Sequence, residues 1–126
     1  MLNQTGFESK SYNTRKTILV DEFNSTALPC MVSSAGVTAG DDGKKLILAG
    51  TPVYGDKLDR NTPFTVSGSG DPVGVILHDV DVTKGTANSQ FVLFGFIDIT
   101  KVDETVVETL KAAESKLKMI QLISRN

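Results

Sequence analysis

Tryptophan is absent, cysteine and histidine occur once each, and tyrosine occurs twice; each shortage removes a class of function. With Cys30 alone, no intrachain disulfide can form and a cysteine-based zinc site has no ligands to build on. The role expected of it is that of a small buried hydrophobe. With His78 alone, every nucleophile–base–acid arrangement must borrow that one ring, and no G-x-S-x-G elbow is present to present a serine to it. No apolar run approaches the roughly 18 residues that a spanning helix needs. The opening "MLNQTGFESKSYN" lacks the apolar segment of a secretory signal, so residence in the cytoplasm is expected. A formal charge of −2 and a pI near 5.3 offer no concentrated basic surface to a polyanion. Within the first twenty residues Lys10, Arg15 and Lys16 outnumber Glu8, a mild bias and not a nucleic-acid arm. Neither a nucleic acid nor a membrane is expected as a partner.

What is present fits one domain. A chain of 126 residues can bury a core without staples, and its 40% apolar and 22% charged content is that of a globular protein. From Pro29 onward, Gly, Pro and Asp clusters divide short runs of β-branched and aromatic residues, which predicts a mainly β fold. "TAGDDGKKLIL" reads as a hairpin whose Asp42-Gly43 pair suits the positive φ angles of a tight turn, with Lys45 to Ala49 as the following strand. Pro52, unable to donate to a ladder, marks an edge or bend. A second hairpin is expected from "DPVGVILHDVDV" across "TKGTANS" to "QFVLFGFIDIT". In that last strand Phe91, Leu93, Gly95, Ile97 and Ile99 would line one face, and Val92, Phe94, Phe96 and Asp98 the other. Both faces are apolar for most of its length, so the strand is central or buried at a subunit contact.

One segment reads as a helix. Asp103 can cap it, Glu104 complements its dipole, and Val106, Leu110, Ala113 and Leu117 form one apolar stripe that makes a core face. "KMIQLI" follows as a closing strand. Ahead of the β-rich part, residues 1–27 are rich in Asn, Thr and Ser. The β-prone run "KTILVDEF" lies within them with no evident partner, so 1–27 reads as an extended, largely mobile arm and 28–126 as the domain. The other reading of the run is a native first strand.

The candidate chemical motifs are weak. "GVILHDVDV" sets His78 beside Asp79 and Asp81, but in an extended strand His78 faces away from both acids. Two carboxylates are too few for a calcium cage, and no calcium-loop pattern is present. "SGSGDPVG" has no Walker lysine or following helix to make a phosphate cradle. Asp41, Asp42, Asp56 and Asp59 lie in turns as solvated loop acids. No catalytic residue, metal ligand or cofactor is assigned, and the chain is not expected to be an enzyme.

"GKKLILAGTPVYGD", then "DPVGVILHDVDVTKGTANSQFVLFGFIDITKVDE", then a short helix and "LKMIQLI" resemble the head decoration proteins of tailed phages, the family that includes the lambda decoration protein. The resemblance spans about residues 43 to 123. It rests most on the pair "GVILHDVDV" and "VLFGFIDIT", a strand ending in polar residues followed by an apolar strand with a central glycine. It implies a small β-clip-like domain with one short C-terminal helix and an extended N-terminal arm, often a homotrimer. Such a protein is made late and assembled in the host cytoplasm. It binds the major capsid protein on the outer surface of the expanded capsid and stabilises the virion against the pressure of packaged DNA. The arm would add a strand to a capsid sheet edge, which makes Tyr12, Lys16, Thr17, Ile18, Leu19, Val20 and Phe23 the candidate capsid-binding residues. Phe94 and Phe96, on a strand with two apolar faces, are the candidates for self-association. A receptor- or carbohydrate-binding β module of a virion or cell surface is the alternative, disfavoured by the shortage of Trp and Tyr. An enzyme on the related trimeric scaffold of the dUTPases lacks its phosphate loop and catalytic aspartate here.

Overall fold

The computed structural model describes residues 17–124. Along the chain run β1 (Thr26–Val32), β2 (Leu46–Ile47), β3 (Pro52–Val53), β4 (Gly74–Ile76), β5 (Val80–Asp81), β6 (Ala87–Asp98), helix α1 (Glu104–Ala113) and β7 (Ile120–Ile123). The protein is therefore mainly β, with one short helix near its C-terminal end.

Strand β6 organises the rest. Its Phe91, Val92, Leu93, Phe94, Phe96 and Ile97 are strand-forming residues with apolar side chains for both faces of a sheet. β1 runs antiparallel to it from Ala27 opposite Val92 to Val32 opposite Ala87. β4 pairs its other edge at Phe91 and Val92, and β3 continues the sheet beyond β4. Further along, β7 lies parallel to residues 95–98, the crossover between β6 and β7 being α1. β6 is central, as its two apolar faces predicted. β2 and β5 form a separate two-stranded ribbon.

Each face of the sheet carries its own core. Val75, Val92 and Ile97 lie on one side under the stripe Val106, Leu110, Ala113 and Leu117 of the helical segment, and that stripe is buried as its spacing predicted. Ile76 and Phe91 lie on the other with Ile47, Val53, Phe64 and Val82. There the rings of Phe64 and Phe91 meet edge to face, centroids 5.0 Å apart and 75° between planes. Asp103 caps α1 through its side chain, which accepts from Thr105 N at 2.9 Å.

Four expectations are corrected. Position 27 is not a boundary, because Ile18 is 2% exposed in the helix-side core and Leu19 is buried beside it. The partner that the sequence did not reveal is the distal half of β6: Asp98 N donates to Ile18 O at 2.8 Å and Val20 N to Phe96 O at 3.0 Å. For 18–20 the reading as a native first strand is the better one, and residues 1–16 lie outside the described residues. Second, the turn at Asp42-Gly43 is present, with Gly43 at φ 80 and Gly43 N donating to Gly40 O. Its strand, however, is only Leu46–Ile47 and pairs with Val80–Asp81, far along the chain.

Third, the extended run 74–82 is broken after Ile76, so β4 and β5 enter different sheets. Fourth, strict alternation along β6 fails, for Val92 and Ile97 share the helix-side core although five residues apart. The pairing shifts from Ala27 opposite Val92 to Thr26 opposite Phe94, leaving Leu93 as the extra residue of a β-bulge. One inserted residue exchanges the faces of everything beyond it.

Candidate functional site

The bend that separates β4 from β5 also decides the fate of His78. Because the strand ends at Ile76, alternation does not separate His78 from its neighbour. His78 and Asp79 line the same hollow, of about 260 Å³, with Ile18, Leu48, Ala49, Leu77, Lys101 and Asp103. The acids there already hold backbone donors: Asp79 Oδ1 accepts from Ala49 N at 2.8 Å, and Asp103 caps α1. Asp81 is turned to its own loop, where hydrogen bonds from the Thr83 hydroxyl and then the Thr83 N–H hold its carboxyl below the ordinary 3.8. Among the described residues no group of three or more His, Cys, Asp or Glu side chains is placed to hold a metal ion.

Cys30 lies in the core of the face opposite the helix. Burial pushes its thiol up from 9.0 to about 11, against the opposing pull of the Arg60 charge. The folded chain thus holds this proton more tightly than the unfolded chain does. The associated stability is complete below pH 9 and is lost as pH rises toward 11. At pH 8 the native thiol is expected to resist a thiol-specific reagent and to react at once in denaturant. A native reaction rate equal to that of a free thiol would place Cys30 outside the core.

The surface is more informative than the hollows. Phe94 is 40% exposed and Phe96 41%, side by side across Gly95 on the outward face of β6. Met119, 57% exposed, adjoins them through its carbonyl, which accepts from Gly95 N at 3.1 Å. Gly95 is required here on two counts: its φ is +145, and a Cβ on it would sit 2.8 Å from Ser25 Cβ, where the chain entering β1 passes over it. The two phenylalanines come together as the sequence predicted, beyond the bulge.

Several edge positions of the larger sheet, by contrast, are occupied. On β1, Pro29 has no N–H to offer and its carbonyl accepts from Arg60 Nη1 at 2.9 Å. The next stretch of that edge is covered by Phe64, which donates to Met31 O and accepts from Ser33 N. On β7, Leu122 N donates to Glu114 Oε2 at 3.1 Å. Beyond β3, Tyr54 pairs with Thr65.

Of the candidate capsid-binding residues, Tyr12 and Lys16 lie outside the described residues. Thr17 and Val20 are half-buried, Ile18 and Leu19 are buried, and Phe23 is 97% exposed on a 3-10 turn capped by Asp21. Sequence reasoning missed Met119 and Leu58, the latter 88% exposed. Their signal was an apolar residue inside a polar stretch, "KLKM" and "DKLDRN". Compared with family models, curated proteins and solved structures, the chain matches none.

Proposed function

We propose that this chain is a structural protein of a tailed-phage virion, which binds the outer surface of the expanded capsid and stabilises it against the internal pressure of DNA. The observation that supports the reading best is the exposure of Phe94, Phe96 and Met119 together on a sheet whose edges are partly occupied. Such a surface associates through its face and through added chain segments, in keeping with a role of holding large partners together. The short helix before β7 is of the kind that the resemblance in residues 43 to 123 implies, whereas the strand at 74–82 is broken after Ile76.

The partner is the major capsid protein. The contact is assigned to the first sixteen residues, Tyr12 and Lys16 among them, and to exposed Phe23. Ile18 and Leu19 are withdrawn from that set, because the fold's own core buries them. Phe94 and Phe96 are assigned to self-association as a homotrimer. Three N-terminal segments on one trimer raise the effective concentration of each, so that weak single contacts give lasting attachment. Binding to the assembled capsid and not to its dissociated subunits shifts the equilibrium toward assembly.

The test mixes purified protein with expanded and with unexpanded undecorated capsids of the phage that encodes it, and counts copies bound. Saturable binding to the expanded form alone is expected, and truncation after residue 16 should reduce it at least tenfold. Binding to neither form, or equally to both, overturns the reading.

A further inference from the structure

Leu58 is a leucine that the fold does not use. It sits at the tip of a loop that is nevertheless fixed in place: Leu58 N donates to Asp56 Oδ1 at 2.8 Å, Asp59 N to Asp56 O at 2.9 Å, and Thr62 Oγ1 to Asp59 Oδ2 at 2.9 Å. Arg60 ties the loop to Pro29 of β1. A turn of this kind is set by its aspartates, and a polar residue at 58 would serve it equally well. The leucine is thus held outward on a rigid support, with little ordering entropy left to lose on contact.

At the foot of the same loop opens a hollow of about 270 Å³. Its apolar lining is Pro72, Val73, Leu93, Leu117, Met119 and Ile120. That volume lies below the roughly 300–1,000 Å³ of pockets that enclose drug-sized ligands, and it suits a single side chain. Charges of both signs line the hollow. Asp56 and Lys57 of the loop and Asp71 line it, as do Lys116 and Lys118 from the segment before β7. Leu58 entering this hollow on a second copy would carry its flanking Asp56 and Asp59 toward Lys116 and Lys118, a match of opposite charges. Two of its lining residues adjoin the phenylalanines in the chain or the sheet, Leu93 next to Phe94 and Met119 through its bond from Gly95 N.

We infer that Leu58 of one copy inserts into the hollow beside Leu93 and Met119 of a second copy. This contact completes the self-association surface. The inference rests on the self-association part of the reading above and is independent of capsid attachment. A convex anchor and a concave receptor at different positions on one chain make a contact that repeats around a closed ring, with the anchor desolvated at its centre.

Light scattering on the full-length protein tests it. The wild type should have a mass of at least twice the 13.5 kDa of one chain. Leu58→Asp should raise the dissociation constant at least tenfold with an unchanged circular dichroism spectrum, since the side chain touches little of its own fold. Met119→Lys should do the same. Mixing the two variants should restore association in part, because the introduced carboxylate then meets the introduced ammonium. Leu58→Ser, which adds no charge, should weaken association in the same direction. A wild type that stays monomeric at the highest attainable concentration overturns both the inference and the self-association reading. A wild type that associates, with Leu58→Asp of equal mass and affinity, overturns the inference alone.

Discussion

Gly74→Ala is expected to destabilise the fold by about 3 kcal/mol, at the upper end of what overpacking costs. Gly74 is the first residue of β4 and is fully enclosed against β6. A Cβ there would lie 2.3 Å from Val92 O and 2.9 Å from Phe91 Cδ2. The oxygen belongs to a backbone that is bonded on both sides, and the ring is held edge to face by Phe64, so neither can give way cheaply. β4 must move as a unit, which disturbs both cores. Gly43→Ala is the control. It has nothing within 4 Å of the added carbon but has φ +80, and the expected cost is about 1 kcal/mol of backbone strain alone. The urea midpoints of the two variants measure the difference. Equal midpoints would mean that β4 is not seated against β6 as described.

Truncation after residue 27 is expected to leave a protein less stable than truncation after residue 16 by about 4 kcal/mol or more. The longer deletion removes two buried side chains, each of a kind that costs roughly 2–5 kcal/mol when cut back to alanine. It also removes the backbone partners of Phe96 O and Asp98 N, and the first residues of β1. A loss of that size is a large share of the 5–15 kcal/mol that single domains have to spare, so the shorter protein should melt at far lower temperature or fail to fold. Thermal melts of the two truncations followed by circular dichroism decide it. Coincident melts would mean that 17–27 contributes nothing to the fold, as the reading of it as a free arm requires.

That reading shows where the sequence ran out. "KTILVDEF" announced its strand character plainly through Ile18, Leu19 and Val20, but a strand needs a partner, and the partner lies nearly eighty residues away in "FID". Nothing local points from one to the other. The helix, by contrast, was legible in full, because a cap at Asp103 and a stripe at Val106, Leu110, Ala113 and Leu117 are written in adjacent turns. The centrality of β6 was legible too, since only a strand covered on both sides carries Phe91 and Val92 in succession.

Its change of face at Leu93 was not legible. A bulge is one residue with no counterpart, visible only when two strands are laid together. For the same reason the sequence separated His78 from Asp79 by alternation, whereas a bend at 77–78 brings them to one hollow. Phe94 and Phe96 were singled out because they stand on a strand with two apolar faces, and both are exposed. Leu58 was passed over because a single leucine in a polar loop carries no period.

The occupied edge positions have a consequence for life at high concentration. A β protein polymerises most readily when one molecule's open ladder accepts the strand of another. Here β1 withholds a donor at Pro29 and an acceptor that Arg60 already occupies, while Glu114 occupies the Leu122 N–H on the far side of β7. Among the described residues, the ladder that β1 and β7 offer to a crowding copy is therefore interrupted. Such interruptions work against the edge-to-edge strand pairing from which fibrils grow.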